Sequence, residues 1–404
     1  MDHFVTLIFL LVYLGMFLGR LPGLALDRTG IALLGALLMV VGGRLDLTTA
    51  WAAIDLPTMA LLFGLMILSA QLRLGGFYSC LTRRLASAKL TPGALLALLI
   101  CISALLSALL VNDIVCLAMA PMLVEGCARR KLNPIPFLLG LVCAANIGSA
   151  ATLIGNPQNI LIGQTLQLSF VDYLGVAIIP VLAGLAISWL VIARAYHHRW
   201  ILVVTPDVAP VKVFDAWQTV KGLIILLMIT GAFLFASWPR ELVALAAAAL
   251  LLTSRRTASR QLLNLVDWQL LLLFMGLFVV HQALAAGDLP ARSLDALAAC
   301  GIDITRPGWL FGLAAVLSNL VSNVPAVMLL LPAAKHPAAG PLLALASTLA
   351  GNLLVIGSIA NIIVVDQAAR LGVSLGWREH ARVGVPVTLL SLAVTAGWLW
   401  WVVL

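Results

Sequence analysis

The sequence predicts an all-α polytopic membrane protein made of two inverted repeats, each with a re-entrant helical hairpin and an interrupted transmembrane helix. Three observations predict it. First, the 404 residues are 63% hydrophobic and only 10% charged, with a mean hydropathy of +1.11. Apolar windows of membrane-spanning length recur from end to end, which no soluble domain of this size shows. Second, Ser107-Ala-Leu-Leu-Val-Asn112-Asp113 and Ser318-Asn-Leu-Val-Ser-Asn323-Val-Pro325 put polar helix-starters in the middle of hydrocarbon. Ser, Asn and Pro recur there at one offset of 211 (107/318, 112/323, 121/332). Third, each stretch is followed by an apolar run broken by Gly and Asn, first Gly148 to Asn159, then Val355 to Asn361.

Taken in order, apolar runs near 5–19, 29–42 and 54–72 read as ordinary spanning helices, and residues 1–92 form the scaffold helices of repeat 1. Residues 93–193 form its transport elements. Within them 93–128 is a hairpin with arms near 94–111 and 114–127, short for full spans and flanked on both sides by basic loops. Such re-entrant backbone is tolerated only where protein buries it or a wet cavity lines it. A crossing over 134–168, interrupted at Gly148–Gln158, and a span at 172–193 complete the half. Residues 194–216 are the long polar linker.

The pattern then restarts. Spans near 219–236 and 240–253 mirror the earlier ones, and 217–305 is the scaffold of repeat 2. Asp55, Gly64 and Gly75 match Asp267, Gly276 and Gly287 at an offset of 212. Residues 306–404 hold a second hairpin near 307–335, an interrupted crossing at 341–369 and a last span at 383–403. Counting crossings puts Asp55 outside and Asp267 inside, so the halves are inverted about an axis in the membrane plane.

The net charge of +8 lies in short loops. Nineteen of the 24 Lys and Arg fall on one side, which the positive-inside rule makes cytoplasmic together with the 194–216 linker. Both termini then lie on the periplasmic side, and no basic segment precedes the first apolar run as a cleaved signal would need. The scattered charges exclude a nucleic-acid partner and leave the lipid bilayer as the surrounding medium. The six cysteines lack CxxC spacing and read as small apolar packers rather than metal ligands. Trp51, Trp238, Trp398, Trp400 and Trp401 read as interfacial anchors. No HExxH, GxSxG or P-loop is present, so neither an enzyme nor a nucleotide-driven pump is expected.

The four breaks carry helix-start signatures. Asn112-Asp113 is expected to cap a half-helix from Ile114, and Asn323 to precede Val324-Pro325. Asn156 stands directly before Pro157, and Ser358 follows Gly357. Meeting at the midplane, four half-helix N-termini present N–H donors and about half a positive charge each, suited to an anion. No Arg or Lys lies in these segments. The expected site residues are Asn112, Asp113, Thr152, Asn156, Asn159, Ser322, Asn323, Ser358 and Asn361, with Gly148, Gly155 and Gly357 shaping the backbone. Carbonyls freed at the breaks, with Asn112 and Asn323, suit Na⁺. Asp113 is the only carboxylate at a tip and is costly in hydrocarbon unless it binds a cation or carries a proton. His281 reads as a packing histidine ahead of a proton relay.

At these residues the chain resembles the ion transporter superfamily, which holds divalent anion/sodium symporters, arsenite permeases and some sodium/proton antiporters. Ala145-Asn146-Ile-Gly148 through Gly155-Asn156-Pro157-Gln158-Asn159 is similar to its first-repeat signature, and Gly351-Asn352 through Gly357-Ser358-Ile-Ala-Asn361 to the second. The similarity is strongest to uncharacterised bacterial inner-membrane anion permeases. The resemblance implies a homodimer through the scaffold, elevator-type alternating access, a small anion as substrate, and no cofactor beyond Na⁺ or H⁺ as coupling ion. The symporters carry Ser-Asn-Thr at both tips. Here Val111-Asn112-Asp113 and Ser322-Asn323-Val324 stand instead, which keeps a Na⁺/H⁺ antiporter or arsenite-type efflux permease as the alternative.

Overall fold

The computed structural model describes residues 3–19, 23–201, 214–254, 257–287 and 289–402. Among them the chain is helical throughout; its only β contact is an isolated antiparallel bridge between Leu132 and Ile201. The first half runs α1 (His3–Leu18), α2 (Arg28–Val41), α3 (Leu47–Ala52), α4 (Leu56–Leu74) and α5 (Phe77–Ser87). It continues with α6 (Pro92–Leu109), α7 (Asn112–Arg129), α8 (Pro134–Ser149), α9 (Pro157–Thr165) and α10 (Phe170–Ala195). The second half runs α11 (Ala216–Phe235), α12 (Arg240–Leu252), α13 (Ser259–Leu263), α14 (Trp268–Ala285) and α15 (Leu289–Ala299). Then come α16 (Pro307–Val321), α17 (Asn323–Leu330) with a 3-10 turn to Ala333, α18 (Ala339–Ala350), α19 (Ile359–Arg370) and α20 (Trp377–Val402).

Six of these helices, α4, α6, α10, α11, α14 and α20, are long and apolar enough to cross a membrane. The chain is a polytopic all-α membrane protein. Every predicted span and break falls on a helix or a helix boundary. The short helices α3, α5, α13 and α15 were not foreseen, because each is too short or too polar to raise a hydropathy window. At the start of the long helices, aspartates satisfy backbone donors that would otherwise be orphaned. Asp27 accepts from Gly30 N at 2.8 Å, Asp55 from Thr58 N at 2.9 Å and Asp267 from Leu270 N at 3.0 Å.

Packing follows a crossed pattern: α2 lies on α14 and α4 on α12. At both crossings a glycine brings backbones into contact. A Cβ on Gly276 would sit 2.8 Å from Ala32 C, and one on Gly64 2.6 Å from Ala244 O. Both members of these two contacts are 212 residues apart (64/276 and 32/244). Likewise α6 packs on α8 and α16 on α18, α7 reaches α19 and α17 reaches α9, while α10 lies on α20.

The core sits on α8 and α18. Apart from Ile135 and Pro341 every residue of these two helices is buried, and a helix apolar all round belongs inside. By contrast α11 turns Leu227, Met228 and Phe235 outward, a surface suited to lipid. Of the anticipated anchors, Trp51, Trp238, Trp400 and Trp401 are exposed. Trp398 differs: it is half-buried and its indole N–H donates to Val176 O at 2.9 Å, tying α20 to α10.

Residues 202–213 of the linker, and Arg20, Lys212, Arg255 and Arg256 of the charge count, lie outside the described residues. The linker's two ends are fixed. Asn133 N donates to Trp200 O at 2.8 Å beside Arg129–Lys131, and Asp215 N donates to Gly75 O at 3.0 Å beside Arg73.

Candidate functional site

The breaks are joined through buried amides. Asn146, inside α8, uses all four of its hydrogen-bonding positions. Its Nδ2 donates to Asn352 Oδ1 at 2.8 Å and Asn361 Oδ1 at 2.9 Å. Its Oδ1 accepts from Ser358 Oγ at 3.0 Å and Asn112 Nδ2 at 3.3 Å. One side chain thus holds the tip of the first hairpin, the start of α19 and the break after α18.

A second knot forms around Thr348 of α18. Its Oγ1 accepts from Gln158 Nε2 at 3.2 Å and Asn156 Nδ2 at 3.3 Å, and donates to Asn159 Oδ1 at 3.3 Å. Asn156 caps α9 as its position before Pro157 suggests, accepting from Asn159 N at 2.9 Å. The second hairpin joins through Asn323. With the amide turned to suit its neighbours, its nitrogen donates to Gly357 O at 3.1 Å and Ser347 O at 3.2 Å, while its oxygen accepts from Gln158 Nε2 at 3.2 Å. On the first hairpin, Asn112 N donates to Gly155 O at 3.1 Å. Each tip asparagine therefore bonds the glycine carbonyl just before the second half-helix in its own half of the chain.

Both breaks are closed by one device. Asn159 Nδ2 donates to Thr152 O at 2.9 Å and Ser149 O at 3.4 Å, seven and ten residues back. Asn361 Nδ2 donates to Leu354 O at 2.9 Å and Gly351 O at 2.8 Å, again seven and ten back. These bonds satisfy carbonyls that the interrupted helices leave open. Tyr173 adds a donation to Ala150 O at 2.7 Å. Thr152 Oγ1 donates to Ala108 O at 2.5 Å and pins the first break to the first hairpin. Glycine is needed for this closeness: a Cβ on Gly155 would lie 2.4 Å from Ser149 O, one on Gly148 2.4 Å from Ala104 Cα, and one on Gly357 2.6 Å from Asn319 Oδ1.

Three helix starts depart from the expected caps. α7 begins at Asn112 itself after Val111, and neither Asn112 nor Asp113 caps it; Asn112 turns its amide to Asn146 instead. α17 begins at Asn323 with Ser322 before it and no side-chain cap. Ser322 has φ 76° and ψ 158°, a region that suits glycine almost alone and strains any other residue. It is half-buried, and no side-chain hydrogen bond among the described residues joins it to either knot. Ser358 starts α19 without capping it and bonds Asn146.

Asp113 is buried and makes no side-chain hydrogen bond or ion pair with the described residues. Among the described residues, Asn112 Oδ1, Asn319 Oδ1 and Asn352 Nδ2 are buried without a partner. Of the two asparagines expected at a Na⁺ site, Asn112 thus keeps its oxygen available, whereas Asn323 Oδ1 is taken by Gln158. Sequence reasoning missed Asn146, Thr348, Asn352 and Asn319 as site residues. Their signal was present: an amide inside an otherwise apolar, fully buried helix is expensive and so marks a polar contact. His281 lies apart, with Nε2 2.5 Å from Tyr13 Oη.

Comparison with known proteins matches residues 9–350 to the family described as citrate transporter. A silicon efflux transporter of Oryza sativa subsp. japonica is 30% identical over 92% of this chain and 92% of its own length. An uncharacterized transporter of Mycobacterium tuberculosis is 30% identical over 93% of this chain and 94% of its own. An inner membrane protein of Escherichia coli K12 is 31% identical, covering 85% and 87% of the two chains.

Proposed function

Since the chain belongs to the citrate transporter family of the ion transporter superfamily, and is a multi-pass membrane transporter, we propose that it is a secondary active transporter of a small anion, a carboxylate or inorganic oxyanion, coupled to Na⁺ or H⁺. The observation that carries this reading is the buried amide network joining all four breaks without a lysine or arginine, with a donor and two acceptors left over. Asn352 Nδ2 can donate to an anion; Asn112 Oδ1 and Asn319 Oδ1 can face a cation. Half-helix N-termini add their partial positive charge. Asp113, buried and without a side-chain partner among the described residues, is the group to take up the coupling cation or proton.

Alternating access is of the elevator type. α1–α5 and α11–α15 form the scaffold, and the hairpins α6–α7 and α16–α17 with the broken helices α8–α9 and α18–α19 form the moving part. The matched glycine crossings (Gly64 on Ala244, Gly276 on Ala32) and the two identical asparagine clasps support an inverted duplication. The basic loops beside the linker support a cytoplasmic linker in an inner membrane.

A second reading is favoured by the uncharged character of the network: efflux of a neutral metalloid hydroxide, the element class named for the rice relative. Reconstitution into vesicles separates the two. We expect trans-stimulated exchange of citrate, sulfate or another anion, dependent on Na⁺ or on pH. Exchange confined to silicic acid or arsenite supports the second reading, and flux indifferent to trans ligand contradicts both.

A further inference from the structure

We propose that Tyr13 and His281 form a scaffold-side catch on the second hairpin, held through the Pro325 carbonyl and released when the Tyr13 hydroxyl turns to His281. The proposal rests on the hairpins moving past the scaffold. Tyr13 on α1 is buried, and its Oη lies 3.2 Å from Pro325 O on α17 and 2.5 Å from His281 Nε2 on α14. A hydroxyl has one hydrogen to donate and two lone pairs to accept with. When His281 carries its proton on Nε2, the ring donates to Tyr13 and the hydroxyl hydrogen goes to Pro325. When Nε2 is bare, the hydroxyl donates to the ring and Pro325 loses its partner.

The two sides of this contact differ in rigidity. Phe9 packs against Tyr13 at a tilt of 33° with centroids 4.5 Å apart and meets His281 edge-on at 6.3 Å, so both rings have an aromatic neighbour in contact. The helix bearing His281 is locked to α2 by the Gly276–Ala32 backbone contact. Across the contact, α17 has eight residues and joins α16 through the strained Ser322. A short arm on a strained joint is thus held to the scaffold by a polar contact whose donor has two possible acceptors.

The test is hydrogen–deuterium exchange on the purified chain in lipid nanodiscs, reading peptides over 323–333 with peptides over 112–129 as reference. Tyr13→Phe removes the donor and should speed exchange at 323–333 about fivefold, the equivalent of one hydrogen bond. His281→Phe should slow it, because the hydroxyl then has Pro325 as its remaining partner. The double variant should behave as Tyr13→Phe, and the reference should stay unchanged in all three. Effects of the same sign in both single variants, or none in Tyr13→Phe, overturn the catch. If Tyr13→Phe does not fold, His281→Gln, which keeps a donor and an acceptor, should stay near wild type while His281→Phe slows exchange; equal effects overturn the proposal. Exchange is read without transport, so opposite signs in a chain that carries no flux refute the proposed function alone. Flux without them refutes the catch alone.

Discussion

Replacing Asn146 by leucine keeps the branching and the number of side-chain heavy atoms and removes all four hydrogen bonds that join Asn112, Asn352, Ser358 and Asn361. Between helices in a membrane a side-chain hydrogen bond averages about 0.6 kcal/mol, and a buried neutral one in a protein reaches about 1.5 kcal/mol. Four of them sum to about 2–6 kcal/mol, the upper part applying because the partners are left buried and unsatisfied. Asn352→Leu is the control. Its side chain makes one of these bonds, and its Nδ2 has no partner to lose, so the expected loss is about 1 kcal/mol. Denaturant titration of the purified variants in detergent, followed by tryptophan fluorescence, gives the two values side by side. An Asn146→Leu loss no larger than that of Asn352→Leu would refute the view that one amide ties the first hairpin tip to the break between α18 and α19.

Three further outcomes follow from local geometry. Ser322→Gly relieves the strained tip of the second hairpin and should stabilise the protein by about 1 kcal/mol, seen as a higher melting temperature; a lower one contradicts the strain. Gly276→Ala puts a methyl 2.8 Å from the Ala32 backbone and should destabilise by about 1–3 kcal/mol. Gly64→Ala at the matching contact should do the same, and the pair of melting curves checks both. Asp113→Asn should leave the melting temperature within a degree or two of wild type, since no hydrogen bond is lost, yet change how vesicle transport responds to pH. A wild-type pH response in that variant removes Asp113 from coupling.

The spans were legible because hydrocarbon leaves no other solution than a continuous apolar helix, and the breaks because Gly, Asn and Pro have few other reasons to sit there. Asn156 before Pro157 gave its cap directly. The tip asparagines misled for a physical reason: Asn112 and Asn323 look like caps, but amides at α8 and a glycine carbonyl compete for them, and those partners lie 34 residues away in sequence. Pairings such as Asn146 with Asn352 and Asn361, 206 and 215 residues apart, leave no local pattern. The clasp spacing of seven and ten is the exception. It is local, repeated in both halves, and visible only once the donors are known. The short helices α3, α5, α13 and α15 escaped because each is too short or too polar to raise a hydropathy window.

The joined breaks are proposed to hold a small anion. Thermal unfolding of the purified chain against citrate, sulfate, silicic acid and arsenite, with and without Na⁺ and at two pH values, tests it most directly, with Asn112→Leu run in parallel. A ligand bound only by the folded protein raises the melting temperature by mass action. One anion should raise it in wild type, only with Na⁺ or only at one pH, and the rise should be lost in Asn112→Leu. A rise with Na⁺ alone and none with any anion, or a rise of equal size in the variant, would contradict it.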